Sequence, residues 1–126
     1  MEIADRLEKD RNVWLCTLRP DGSPHLTPVW FVHVGDTFWI GSGERNTKVR
    51  NILNDPRVSL ALENGDHPIV AEGRAQVHRG ALREDILTAL AAKYEGWDAG
   101  KEVRPFGPRV LLEVPVTRWL LRGSAQ

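Results

Sequence analysis

The run Thr37-Phe38-Trp39-Ile40-Gly41-Ser42-Gly43-Glu44-Arg45-Asn46-Thr47-Lys48-Val49-Arg50-Asn51 gathers the residues best suited to chemistry. An apolar segment spills through small residues into a helical pattern. Within its first turn or so that pattern holds a hydroxyl (Thr47), an ammonium (Lys48), a guanidinium (Arg50) and an amide (Asn51). Together with the unpaired N–H groups of a helix start, they suit a phosphate or another anion. A Walker phosphate loop needs Gly directly before the Lys and Ser or Thr after it. Here Thr47 precedes Lys48 and Val49 follows, so the motif fails. What remains is a simpler anion cradle, in which Thr47 donates a hydroxyl and Lys48 and Arg50 supply charge. Arg74 and Arg109 are further cations that could extend it.

Other chemistries find less support. His25, His33, His67 and His78 are dispersed, with no H-x-H or H-x-x-x-H pair, so no metal site is expected. Cys16 lies in an apolar run with no basic neighbour before Arg19 and reads as a buried structural thiol. Being alone, it forms no intrachain disulfide. Ser42 and Ser59 lack a G-x-S-x-G context. Of five tryptophans, Trp30 and Trp39 lie nearest the anion-binding stretch, where aromatic rings can wall a flat ligand or fill a core.

The elements that must position these groups are mostly strands. Residues 2–11 read as a short amphipathic helix, with Ile3 and Leu7 four apart. Strands follow at Val13 to Leu18, His25 to Val34 and Thr37 to Ile40, punctuated by Pro20-Asp21-Gly22-Ser23 and Gly35-Asp36. Val49, Ile52 and Leu53 mark a helix from Thr47 to Asn54, which Asp55-Pro56 stops. Val58 to Leu62 and Ile69 to His78 read as strands, Gly73 marking a bulge or close backbone approach in the second. Ala81 to Tyr94 reads as the longest helix, Gly96 to Pro108 as a loop and candidate lid. Val110 to Val114 and Val116 to Leu121 read as two closing strands. Six or seven strands with short turns predict a small barrel or rolled sheet, not a doubly wound fold.

At 126 residues the chain reads as one domain, 1–126. Its formal net charge of +0 argues against a general nucleic-acid binder. No apolar run approaches a membrane span, and the N-terminus lacks the layout of a signal peptide. The expectation is a soluble, cytoplasmic protein.

Several segments carry a resemblance: Leu18 to His25 with Thr27 to Phe31, Asn46 to Ser59, Val70 to Val77, and Arg109 to Val114. In order and spacing they resemble the flavin- and deazaflavin-binding split-barrel family, the superfamily of pyridoxamine 5′-phosphate oxidase. The resemblance implies a mainly β, FMN-binding-type split β-barrel of six to seven antiparallel strands in a Greek-key-like roll. It also implies a homodimer with two cofactor sites at the interface. Thr47, Lys48, Arg50 and Asn51 would hold the cofactor phosphate, and Thr27, Pro28 and Val29, with Trp30, would border the ring. Ile40, Gly41 and Ser42 would pass beneath its ribityl chain, and the last strand with Trp119 would reach the other subunit's site. The resemblance does not extend to the C-terminal substrate-binding segment of true pyridoxamine 5′-phosphate oxidases. The T-K-x-R-N pattern is similar to small members that use coenzyme F420. The implied activity is hydride transfer between reduced F420 and a small unsaturated organic substrate, with no side-chain catalytic residue identified. The alternatives are an FMN-dependent oxidoreductase and a non-enzymatic flavin- or haem-binding module, whose axial ligand would come from His25, His33, His67 or His78.

Overall fold

Turn residues decide where the strands end. The computed structural model describes residues 2–124, so the first residue and the last two of the domain read over 1–126 lie outside it. Helix α1 (Ile3–Lys9) leads into strand β1 (Val13–Leu18), which turns into β2 (Pro24–Val29). Gly22 takes φ 86° in that turn, and the Asp21 carboxylate accepts the Ser23 N–H (2.9 Å) and hydroxyl (2.6 Å). Strands β3 (Val32–Val34) and β4 (Thr37–Gly43) form a second hairpin around Gly35 and Asp36, both at positive φ, as a two-residue turn matched to strand twist requires. Then come α2 (Thr47–Asn54), β5 (Arg57–Leu62), β6 (Ile69–Arg74), β7 (Gln76–His78), α3 (Glu84–Lys93) and β8 (Arg109–Arg122).

Among the described residues the strands therefore number eight; β4 continues past the expected end at Ile40 because Gly41, Ser42 and Gly43 stay paired with β8, and three further runs are divided or joined for physical reasons. The run His25 to Val34 breaks at Trp30-Phe31, because β2 pairs with β1 while β3 pairs with β4. Ile69 to His78 breaks at Ala75, whose N–H leaves the ladder for the Pro56 carbonyl (2.8 Å). Conversely, the two strands expected at the C-terminus are one. Pro115 does not interrupt it because it stands where β8 changes partner. Its register match to Thr37 ends the β4 ladder, and pairing with β6 begins at Val116. A missing N–H is tolerated at such a junction.

The pairing order is β2-β1-β5-β6-β8-β4-β3, with β7 also on β8, and every pair is antiparallel. The first and last strands of that order are consecutive in the chain, joined only by Trp30 and Phe31. The sheet is thus rolled onto itself as a split barrel. Inward residues such as Leu15, Phe31, Phe38, Ile40, Leu60 and Leu112 fill its interior, and α2 turns Val49 and Ile52 into the same core. A second cluster lies outside the barrel wall, where Ile86 and Leu90 of α3 and Tyr94, just past its end, pack with Trp39 and Leu111. The outer face of β2-β1-β5-β6 carries exposed Trp14 and Leu26. Cys16 sits half-buried on that face, correcting the expectation of a buried thiol, because the alternation of β1 turns Leu15 and Thr17 inward instead.

Gly73 is the close approach its place in β6 indicated. A Cβ there would lie 2.6 Å from the Pro115 carbonyl oxygen and 2.8 Å from a Val114 methyl, at a register shift between β6 and β8. Backbone cannot yield as a flexible side chain would. Gly73→Ala is therefore expected to cost about 1–3 kcal/mol, read as a lower urea midpoint at unchanged slope.

Candidate functional site

The floor of the candidate site is set by two glycines. Gly41 in β4 has no side chain, which lets Trp97 and Ala99 lie over the strand; a Cβ would meet both at 3.2 Å. Gly43, two residues on, receives Phe106, whose carbonyl oxygen would be 2.6 Å from an added Cβ. The loop 96–108 is therefore docked on β4. Backbone bonds secure it further, with Glu44 N–H donating to Pro108 (2.8 Å) and Arg45 N–H to Phe106 (2.9 Å).

A cleft of about 300 Å³ opens beside this floor, where the β2–β3 crossing, β4, the start of α2 and the docked loop meet. Pro28, Val29 and Trp30 line it together with Gly41 and Ser42 of β4, Asn46 and Lys48 at the start of α2, and Trp97 and Arg109; Asn12 completes it. The aromatic side is rigid. Trp30 stacks on Tyr94 with centroids 4.5 Å apart and planes 3° from parallel, and meets Trp97 edge-on at 5.2 Å. Arg11 covers the Tyr94 ring at 5.0 Å, and Arg109 lies 5.9 Å from the Trp97 ring.

The polar end is cationic. Burial lowers the Lys48 ammonium below the ordinary lysine range, and the nearby Arg109 charge lowers it further. Burial likewise lowers Arg109, which donates from Nε to the Ala99 carbonyl (2.7 Å) and is only partly offset by Asp98. Neither is among the ion pairs of the described residues. Asn46 precedes α2 but does not cap it with its side chain. Its amide donates to the buried Ser42 hydroxyl instead (2.9 Å). The side chain of Asn46 thus leaves the first turn of α2, which carries Lys48, uncapped. An ammonium and a guanidinium, both desolvated and outside the ion pairs of the described residues, fit a phosphate-bearing group.

Of the residues expected at the site, the structure brings Pro28, Val29, Gly41, Ser42 and Lys48 together as cleft walls, with Trp30 and Arg109. Thr27 and Ile40 turn into the barrel instead. Ile40 is wholly buried in the core, and the Thr27 hydroxyl is buried without a hydrogen-bond partner among the described residues. Thr47 and Arg50 lie on the exposed flank of α2. Asn51 is buried, and its amide donates to the Thr17 hydroxyl (3.0 Å), so its side chain ties α2 to β1 and is not part of the cleft wall. Trp119 packs near Phe38 and His33, away from the cleft. Asn12, Asn46 and Trp97 are walls that sequence reasoning did not single out. No histidine lines the cleft among the described residues. His78 is instead paired with Glu113 (2.7 Å). The described residues hold no group of three or more metal-ligating side chains and no helix long and apolar enough to cross a membrane.

A family model described as pyridoxamine 5′-phosphate oxidase matches residues 1–123 of the chain. Among solved structures, an F420 reductase is 23% identical, with 91% of this chain and 93% of that one covered at a TM-score of 0.73. HutZ, the haem storage protein from Vibrio cholerae, is 12% identical, with 98% and 94% covered at a TM-score of 0.81. An FAD-binding protein from Mesorhizobium loti is 19% identical, with 92% and 86% covered at a TM-score of 0.69. At these identities the structural likeness establishes the split-barrel fold.

Placement separates two kinds of polar residue, and stability measurements tell them apart. Asn51→Ala leaves the buried Thr17 hydroxyl without its donor and is expected to lower stability by about 1–3 kcal/mol. Lys48→Met removes a charge that the fold disfavours, so it is expected to leave stability unchanged or raise it. The sign follows from the lowered ionisation. Between its folded and unfolded values the unfolded chain holds more protons, so native stability rises with pH there. Any gain from Lys48→Met is therefore full near neutrality and disappears above the ordinary lysine range, as urea melts across that range would show.

Proposed function

The chain belongs to the pyridoxamine 5′-phosphate oxidase family, and from that premise we propose that it binds a flavin-type cofactor in the Lys48–Arg109 cleft and acts as an oxidoreductase. The leading cofactor is coenzyme F420, and the reaction is hydride transfer between its reduced form and a small unsaturated organic substrate. The observation that carries the reading is the pair of desolvated cations, neither in an ion pair among the described residues, in a cleft lined by Trp30 and Trp97. When bound, the deazaflavin ring supplies the hydride, and the protein supplies binding and orientation.

Lys48 and Arg109 hold the phosphate, and Asn46 fixes the floor by donating to Ser42. Thr47 and Arg50, on the exposed flank of the same helix start, reach a phosphate that extends past the rim. Pro28, Val29 and Trp30 border the ring, the bare backbone at Gly41 lets the chain of the cofactor lie close, and Trp97 shields it from water. The F420 choice draws on the T-K-x-R-N pattern and the F420 reductase of like fold. FMN is the second reading, since the same cradle would take its phosphate. A haem site is disfavoured in this cleft because no histidine lines it among the described residues.

We also infer that the functional unit is a cytoplasmic homodimer with the cofactor sites at its interface. What supports this is the outer face of β2-β1-β5-β6, where exposed Trp14 and Leu26 surround a groove of about 310 Å³ shared with Cys16, Ala61 and Val70. No helix covers it.

Side-by-side titration with F420, FMN and haem tests the cofactor reading. F420 is expected to bind tightest, and Lys48→Ala and Arg109→Ala to weaken it by about 1–3 kcal/mol each. Unchanged affinity in a folded Lys48→Ala variant would remove the cradle. For the assembly, sedimentation equilibrium is expected to give a dimer that Leu26→Asp converts to monomer.

A further inference from the structure

We propose that the turn between β5 and β6 modifies itself at Asn64, whose side-chain amide is lost to attack by the Gly65 nitrogen, and that the rearranged product loosens α1. Asn64 is the one asparagine of the chain followed by glycine; Asn12, Asn46, Asn51 and Asn54 precede Val13, Thr47, Ile52 and Asp55. A nitrogen that attacks the preceding side chain brings its own Cα close to it. Branched side chains crowd that approach, and glycine does not. Residues Glu63 to His67 are all exposed, and a Cβ on Gly65 would meet nothing within 4 Å beyond its chain neighbours. The Gly65 N–H makes no hydrogen bond among the described residues, so none has to break before it reacts.

The turn also receives the charge that the reaction develops. Oδ1 of Asn64 accepts the Asp66 N–H (2.9 Å) and the His67 N–H (3.2 Å). Attack of the Gly65 nitrogen on Cγ makes that oxygen an oxyanion, and the same backbone donors already face it. The new C–N bond closes a cyclic imide, the Cγ–Nδ2 bond breaks, and the Gly65 proton leaves with the amide nitrogen as ammonia. Water then opens the imide and returns a proton to the Gly65 nitrogen. Opening at Cγ leaves aspartate. Opening at the Asn64 backbone carbonyl leaves isoaspartate, with the main chain running through the former side chain. Neither step oxidises or reduces anything.

The products differ in what they do to the fold. Aspartate keeps an oxygen in the place of Oδ1, able to accept the same N–H groups. Isoaspartate lengthens the main chain by a carbon and shifts His67. The His67 carbonyl accepts an N–H of the Arg6 guanidinium, a buried group that ties α1 to this turn. Otherwise Leu7 and Ile3 anchor α1 on the barrel core. A displaced His67 leaves the Arg6 charge without that acceptor, and α1 opens more often.

Prolonged incubation of the full chain at neutral pH is the test, followed by peptide mapping with mass spectrometry and labelling by an isoaspartyl methyltransferase. Conversion of amide to carboxyl is expected at Asn64 ahead of every other asparagine, with the methyl label on the same peptide. Gly65→Ala, whose added methyl nothing obstructs, should slow conversion on the order of tenfold. Unfolding the chain in urea should not speed it. In the separated isoaspartyl form, amide hydrogen exchange across Ile3–Lys9 should quicken, whereas Asn64→Asp should leave it unchanged. Equal conversion at another asparagine, an equal rate in Gly65→Ala, faster conversion in urea, unchanged exchange in the isoaspartyl form, or equal quickening in Asn64→Asp would each overturn the proposal.

Discussion

The phenolic hydroxyl of Tyr94 sits at the seam where the rolled sheet meets itself, and the arrangement of both faces follows from what it holds there. At Trp30-Phe31 the chain leaves one hairpin for the other, so these residues lack a ladder partner. Tyr94 accepts the Phe31 N–H (2.8 Å), and its own proton lies within reach of the Arg11 carbonyl (2.8 Å) and the Phe31 carbonyl (2.9 Å). Buried backbone groups that would otherwise be unsatisfied are thereby paired. The same ring stacks on Trp30 and packs in the cluster beneath α3. One side chain fixes the crossing so that Trp30 faces the Lys48–Arg109 cleft and Phe31 the barrel core.

Electrostatics then divides two concave regions. In one, an ammonium and a guanidinium share a desolvated cleft; in the other, between α1, β3 and α3, the Lys93 ammonium lies over the Phe31 ring. Both place a charge where folding alone disfavours it, since burial opposes ionisation of Lys48, Lys93 and Arg109. Some arginines are instead paired in the ordinary exposed way, as Arg57 is with Asp55 and Arg83 with Asp85. Desolvated cations that share one cleft, as Lys48 and Arg109 do, are the mark of a site shaped for something other than stability.

How much of this was legible follows from which signals are local. Helix α2 was readable to its ends because Val49 and Ile52 set its apolar face and Asp55-Pro56 stops it. That periodicity also carried information about the site. Lys48 and Asn51, three apart, lie on the flank that packs inward, whereas Thr47 and Arg50 lie on the solvent flank. Pattern alone could not tell that Asn51 meets Thr17, a contact across the fold. Trp97 gave no signal, since its role depends on the loop 96–108 settling over Gly41. The strand breaks at Trp30 and Ala75 were hidden for the same reason. Each is a change of pairing partner inside an apolar run, and local composition does not register partners.

The docking of loop 96–108 bears on how the cleft meets its ligand. With the Phe106 backbone seated over Gly43 and two backbone bonds closing the edge, lifting the loop would unpair the amides of Glu44 and Arg45. The candidate lid is docked on β4. Its conformational entropy is lost when the chain folds, so little loop ordering remains to oppose association. Recognition then rests on how well a ligand matches a preset shape, and selectivity among similar rings becomes a matter of fit at Trp30, Trp97 and the bare strand at Gly41.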